Sequence, residues 1–93
     1  MIVTLIPAAG ASTRMRGKDK LLEPVQGNTP ALRHAVEVAL SAALGPVLVT
    51  LRPEDRARRV ALQRAPVEVL DVPDAAEGMS ASFRVGAARA LEI

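Results

Sequence analysis

Residues 8–20 combine the residue types that a phosphate-binding loop requires. Small residues allow backbone N–H groups to approach an anion, and Gly10 permits unusual backbone dihedral angles. Asp19 is the only acid in this segment. The segment holds four cations: Arg14, Arg16, Lys18 and Lys20. A polyphosphate is the simplest anion that would use so many donors in so short a stretch.

Two common phosphate-binding motifs do not match this loop. The dinucleotide fingerprint needs Gly-x-Gly-x-x-Gly, but Gly10 is followed by Ala-Ser-Thr. The Walker loop needs four residues between its glycines and a Ser or Thr after its Lys. Here six residues separate Gly10 from Gly17, and Asp19 follows Lys18. These mismatches argue against a dehydrogenase and a P-loop NTPase, and the pattern alone leaves a solvated basic turn as an alternative.

The element before the loop is predicted to be a strand. Residues 2–6 form an apolar run broken only by Thr4 and bounded by Pro7, which is typical of a strand buried on both faces. Residues 47–51 repeat this pattern, and residues 67–72 alternate as a third strand. Open parallel sheets bind ligands at the carboxyl ends of their strands, which is where the basic loop lies.

Periodicity predicts a first helix between the first and second strands. Thr29 is its expected N-cap, Pro30 its first residue and Gly45-Pro46 its end. Its apolar face falls at helical spacing: Leu32, Ala35, Val36, Ala39, Leu40, Ala43 and Leu44.

Two further helices complete the alternation. Residues 53–55 place acids in a first turn, and basic residues follow, which complements a helix dipole. Residues 80–91 form the third helix, with one predicted apolar face: Phe83, Ala87, Ala90 and Leu91. The order of elements predicts an α/β fold: a Rossmann-like parallel sheet with flanking helices, built from three β-α units.

Composition limits the classes of function. The chain has 93 residues, 49% of them hydrophobic, with Phe83 as its one aromatic residue. The absence of cysteine excludes disulfides, thiolate metal sites and cysteine nucleophiles. No apolar run is long enough to cross a bilayer and no basic leader precedes residues 2–6, so a cytoplasmic protein without membrane contact is expected. Ten dispersed arginines without interleaved aromatics argue against a nucleic-acid partner.

Two segments resemble motifs of one enzyme family. Residues 7–15 (Pro-Ala-Ala-Gly-Ala-Ser-Thr-Arg-Met) and 18–22 (Lys-Asp-Lys-Leu-Leu) are similar to the Ala-Ala-Gly-x-Ser-x-Arg-Met-Gly…Lys-Leu-Leu signature of nucleotidyltransferases. Residues 76–84 (Ala-Glu-Gly-Met-Ser-Ala-Ser-Phe-Arg) resemble the Glu-Gly-(Leu/Met)-Ser-x-Ser-(Leu/Phe)-Arg segment of the molybdenum cofactor cytidylyltransferases. The family, described as MobA-like, also contains guanylyltransferases and methylerythritol phosphate cytidylyltransferase.

The resemblance implies a role for each matching residue. Backbone groups of residues 8–10 would hold the base and ribose, and Ser12 and Arg14 would contact the terminal phosphates. Lys20 would neutralise charge on the α-phosphate, so Arg14 and Lys20 are the expected catalytic residues. The full nucleotide-binding set is Ala8, Ala9, Gly10, Ser12, Arg14, Lys20, Ser80 and Ser82. Ser80 and Ser82 would complete the base pocket, although a helix N-cap and an exposed helix position would also explain them.

One departure from the family signature leaves the loop register open. The family has Gly directly after Arg-Met, whereas Arg16 intervenes here before Gly17. The roles of Lys18 and Lys20 could therefore be exchanged.

The resemblance also implies the substrates and the metal. Ala-Ala-Gly at the base position indicates a pyrimidine, hence CTP, with molybdopterin as the expected phosphorylated acceptor and Mg²⁺ as the cofactor. Family members have about 200 residues, a common domain size, and carry their metal-binding aspartate on a strand that would follow Ile93. Residues 1–93 are therefore expected to be the N-terminal nucleotide-binding part, without metal ligands and inactive alone. Asp71 and Asp74 are interpreted as turn residues.

Other functions remain open on the sequence alone. The chain could be a non-catalytic nucleotide-binding or regulatory module. Alternatively, it could belong to the guanylyltransferase or the methylerythritol phosphate cytidylyltransferase branch.

Overall fold

The structure, a computed structural model, describes residues 2–9, 14–15, 18–72 and 79–93. Short 3₁₀ turns cover Lys20–Leu22 and Gln26–Asn28. The strands and helices, in chain order, are β1 Thr4–Pro7, β2 Arg14–Met15, β3 Lys18–Asp19, α1 Ala31–Ser41, β4 Val47–Leu51, α2 Arg56–Ala61, β5 Glu68–Asp71 and α3 Met79–Glu92.

The main sheet is parallel and has β4 at its centre. β1 pairs with β4 from Thr4 opposite Val47, and β4 pairs with β5 from Leu48 opposite Glu68. Every residue of β4 is buried, because a strand flanked by two others and covered by helices exposes neither edge nor face. The sheet with its flanking helices confirms the predicted Rossmann-like α/β fold.

The two faces of the sheet carry different helices. The odd-numbered residues of β4, such as Val49, share one core cluster with Leu32 and Val36 of α1. Side chains alternate along a strand, so Leu48 lies on the opposite face, where α3 packs against β1 and β4. The core therefore has two layers, one on each face of the sheet.

The boundaries of α1 differ from the sequence prediction. The helix begins at Ala31, after Pro30, and no side chain caps it, so the predicted Thr29 cap is wrong. The reason is a backbone bridge: the Thr29 carbonyl accepts from Val25 N–H at 2.9 Å, and Pro30 pairs with Pro24. These bonds hold residues 29 and 30 in extended backbone.

The carboxyl end of α1 also comes earlier than predicted. The helix ends at Ser41, before the expected Gly45-Pro46 stop, and Ala43 adopts a positive φ of 53°. Leu44 is consequently exposed and not part of the apolar face. Of that predicted face, Leu32 and Val36 form the fully buried part.

The second helix, α2, starts after the predicted acids. Asp55 is its N-cap, and one carboxylate oxygen accepts from the Arg58 backbone N–H at 3.1 Å. Asp55 therefore stabilises the helix by accepting a hydrogen bond from a free N–H group at its start. It lies before the first turn, and not within it as the sequence predicts.

The apolar face predicted for α3 is wrong. Phe83 is 51% exposed and Leu91 is 90% exposed. Small residues face the sheet, namely Ala81, Ser82 and Gly86. A Cβ atom at Gly86 would lie 2.5 Å from Leu5 Cδ2, so this helix approaches β1 too closely for a larger side chain. The small size of the residues, and not their hydrophobicity, therefore determines which face of α3 is buried.

Each helix in the described part of the chain is too short or too polar to cross a membrane.

We predict that Gly86→Val destabilises the fold by about 1–3 kcal/mol, the usual range for overpacking a core. Valine would displace the Leu5 side chain from the α3–β1 interface. The measurement is the free energy of unfolding in urea. Ala87→Val is the control because residue 87 is exposed in the same helix. Equal stability of the two variants would contradict the close approach.

An ion pair between β5 and α3 generates a second prediction. Arg89 Nη2 donates to Glu68 Oε1 at 2.9 Å, and this hydrogen bond lowers the pKa of the Glu68 carboxyl. A lowered pKa means that the folded protein holds the ionised form more strongly than the unfolded chain does. The stabilisation is complete above the unfolded pKa and is lost as pH falls through the folded pKa.

We therefore expect the wild-type urea midpoint to fall more steeply than that of Glu68→Gln as pH decreases below about 4. The glutamine cannot ionise, so it removes this source of pH dependence. Identical pH profiles would show that the ion pair contributes nothing to stability.

Candidate functional site

The site begins where β1 ends. Ala8 follows the strand, and its N–H donates to the Thr50 carbonyl at 3.0 Å and lies 3.3 Å from Thr50 Oγ1. Ala8 and Ala9 are both buried. The first residues of the basic loop are thus fixed beside the carboxyl end of the central strand.

A buried arginine holds the Ala8 carbonyl. Arg58, on α2, donates from Nη1 to this oxygen, and its side chain is 1% exposed. Its Nε lies 3.3 Å from Oδ2 of Asp55, which is 4% exposed. A buried charge is tolerated when it is paired and hydrogen-bonded, and Asp55 supplies the pairing while Ala8 accepts a hydrogen bond.

A second arginine holds the next carbonyl. Arg52 follows β4, and its Nε donates to the Ala9 carbonyl at 3.0 Å. The Arg52 backbone is held in turn, because its carbonyl accepts from Arg59 Nη2 at 3.2 Å. Two successive peptide carbonyls at the start of the loop therefore accept hydrogen bonds from guanidinium groups.

Sequence reasoning missed both arginines. Arg58 was expected only as one of the basic residues that follow the acids of a helix and complement its dipole, and Arg52 was given no role. The Asp55-x-x-Arg58 spacing allows an i, i+3 pair, but the same spacing is common on exposed helix surfaces. Only the three-dimensional position of Ala8 reveals that the Arg58 guanidinium is buried.

The basic part of the loop contains a short antiparallel ribbon. β2 pairs with β3, with Arg14 opposite Asp19 and Met15 opposite Lys18. Lys20 follows directly, is exposed and begins a 3₁₀ turn. The two residues expected to be catalytic, Arg14 and Lys20, are therefore close along this ribbon. Gly10 and Ser12 lie outside the described residues.

The second sequence motif, residues 76–84, contacts the first through the beginning of α3. Ala81 packs with Ala9 and Val72 in one buried cluster. Ser82, predicted to contact the base, is only 1% exposed, so the alternative interpretation as an exposed helix position is wrong. Ser80 lies in the first turn of α3, and its side chain is outside the described part. The Ala9–Ala81 packing brings together two motifs that are far apart in the chain.

Potential metal ligands were sought in the same region. In residues 2–9, 14–15, 18–72 and 79–93, no group of three or more His, Asp or Glu side chains could hold a metal ion. Asp71, interpreted from sequence as a turn residue, is instead the last residue of β5, and its carboxylate accepts from Arg59. Asp74 lies outside the described residues.

The arrangement is suited to binding an anion. The first two peptide carbonyls of the loop are fixed at the carboxyl end of β1, which is where parallel sheets bind ligands, and the sequence that follows carries the basic residues.

A comparison with protein-family models identifies the family of this chain. The model of the MobA-like NTP transferase domain matches residues 4–92. Curated proteins and solved structures gave no match. The family match includes both motifs, all three strands of the main sheet and the two arginines that hold the loop. The chain belongs to the MobA-like nucleoside triphosphate (NTP) transferase family.

Proposed function

We propose that this protein binds CTP and takes part in transferring CMP to a phosphorylated acceptor, with molybdopterin favoured, and with release of pyrophosphate. Membership of the family already indicates a nucleotidyltransferase with a nucleoside triphosphate substrate. The observation that carries the proposal is the packing of Ala81 on Ala9, because it places the second motif against the start of the first.

Each part of the proposed site has a separate task. Ala8 is committed to the protein through its N–H and carbonyl, so it supports the loop, and contacts to base and ribose would begin at Ala9 and Gly10. Ser80 and Ser82 would contribute to the base site from α3, and the buried side chain of Ser82 would have to become accessible when the nucleotide binds. The choice of a pyrimidine rests on the Ala-Ala-Gly sequence of the loop and on these two serines.

The cations would act on the phosphates. In the proposed reaction an acceptor phosphate oxygen attacks the α-phosphorus of CTP, and the bond from that phosphorus to the bridging oxygen breaks. The electron pair leaves with pyrophosphate. Ser12 and Arg14 would hold the terminal phosphates, and Lys20 would stabilise negative charge on the α-phosphate. Such transfers are catalysed mainly by positioning and charge stabilisation.

A divalent metal is general in this family, and we propose Mg²⁺. It would neutralise part of the charge of the triphosphate. The described residues provide no cluster of ligands for it. The tasks proposed for this chain therefore involve its cations, hydroxyls and backbone only.

We predict that Arg14→Ala weakens CTP binding by about 1.5–3 kcal/mol, the range for a hydrogen bond to a charged group. Isothermal titration calorimetry in the presence of Mg²⁺ gives the dissociation constant. Arg56→Ala is the matched control, because Arg56 is an exposed arginine on α2. Unchanged affinity of Arg14→Ala would remove the basic loop from the site.

We also predict that CTP outcompetes GTP and ATP in a displacement assay. The Ala-Ala-Gly sequence at the start of the loop and the serines at positions 80 and 82 resemble the cytidylyltransferase branch, which is the reason to expect a pyrimidine. Inorganic tripolyphosphate is the control, because it measures phosphate binding without a base. A preference for GTP would assign the protein to the guanylyltransferase branch.

A further inference from the structure

We infer that Arg52 and Arg58 are positioning residues of the nucleotide site: they fix the first two peptides of the basic loop from outside the loop. Neither residue belongs to the two motifs. Arg58 binds the carbonyl of Ala8, and Arg52 binds the carbonyl of Ala9. The inference rests on the proposed function, since it gives these arginines a purpose in nucleotide binding.

Peptide geometry explains how a bond to a carbonyl can prepare a donor. The six atoms of a trans peptide lie in one plane, with C=O and N–H on opposite sides. When Arg58 fixes the Ala8 carbonyl, it also fixes the direction of the Ala9 N–H group. A cation at the carbonyl polarises the peptide and strengthens its N–H as a hydrogen-bond donor to a ligand.

Burial and pairing make Arg58 a rigid support. Its guanidinium is held by Asp55, which itself caps α2 through the Arg58 backbone N–H. The Ala8 carbonyl is therefore held by the first turn of α2, in which Asp55 provides the counter-charge for Arg58. Ala8 is also held from the opposite strand by Thr50, so its peptide is constrained by two elements at once.

Arg52 offers the better test because it is half-buried, whereas Arg58 lies in the core and its removal would break a buried ion pair with Asp55. In Arg52→Ala the donor to Ala9 is lost while the backbone bond from Arg59 to residue 52 is retained. Arg52→Lys keeps a positive donor at the same place. Arg56→Ala removes an exposed arginine from the adjoining helix and serves as the control.

The experiment measures affinity and carbonyl environment in the same proteins. Titration calorimetry with CTP and with inorganic tripolyphosphate, both with Mg²⁺, gives dissociation constants at a temperature where circular dichroism shows every variant folded. Triple-resonance NMR gives the carbonyl ¹³C chemical shift of Ala9, which reports its hydrogen bond directly. A role confined to overall stability would not move this shift specifically.

We expect Arg52→Ala to weaken CTP binding about 10-fold, corresponding to one hydrogen bond from a charged group, and to weaken tripolyphosphate binding less, because residues 9 and 10 are proposed to contact the base and ribose. The Ala9 carbonyl shift should move, Arg52→Lys should recover part of the affinity, and Arg56→Ala should match the wild type. Arg58→Lys should move the Ala8 carbonyl shift in the same way.

The outcomes separate this inference from the proposed function. If Arg14→Ala weakens binding but Arg52→Ala does not, the positioning role is wrong and the nucleotide site stands. Weaker binding by Arg52→Ala with an unmoved Ala9 shift would also overturn the positioning role, because the arginine would then act by another route. If Arg14→Ala has no effect, the proposed site fails and this inference fails with it.

Discussion

The ion pair between Arg58 and Asp55, with its bond to the Ala8 carbonyl, is the constraint on which the site depends. A charge with 1% exposure must be compensated where it lies, so α2, the end of β1 and the start of the loop have to occupy fixed relative positions. The same aspartate caps α2. One carboxylate thus sets both the beginning of a helix and the path of a loop 47 residues away in the sequence.

Close packing of α3 is the second constraint, and it acts on the other face of the sheet. The absence of a side chain at Gly86 lets the helix lie against Leu5, and Ala81 then reaches Ala9. Larger residues at these places would move the helix outward and separate the two motifs. The start of the basic loop is therefore held by charged side chains on one face of the sheet and by the close packing of small residues on the other.

The sequence predicts the parallel sheet because the buried central strand β4 is an apolar run, although β1, expected to be buried on both faces, is only half-buried. The family follows from two local motifs. The buried face of α3 could not be predicted from hydrophobicity. Phe83 and Leu91 fit an apolar pattern but are exposed, because α3 lies so close to β1 that only small residues fit between them. Thr29 fails as a cap because its carbonyl bonds to Val25, a contact that no capping rule includes. The role of Arg58 could not be predicted either, because it depends on a hydrogen bond to the carbonyl of Ala8, 50 residues away in the sequence.

The order of the main sheet has a consequence for how the protein folds. β4 meets β5 across 20 residues, from Leu48 to Glu68, whereas β1 meets β4 across 43, from Thr4 to Val47. Closing a longer stretch of chain has a higher entropic cost, so we expect the β4–α2–β5 unit to assemble first and β1 to join it. Arg58 would then already be in place when Ala8 arrives. The start of the basic loop would then reach its place only after β4, α2 and β5 have assembled, although it lies near the amino terminus.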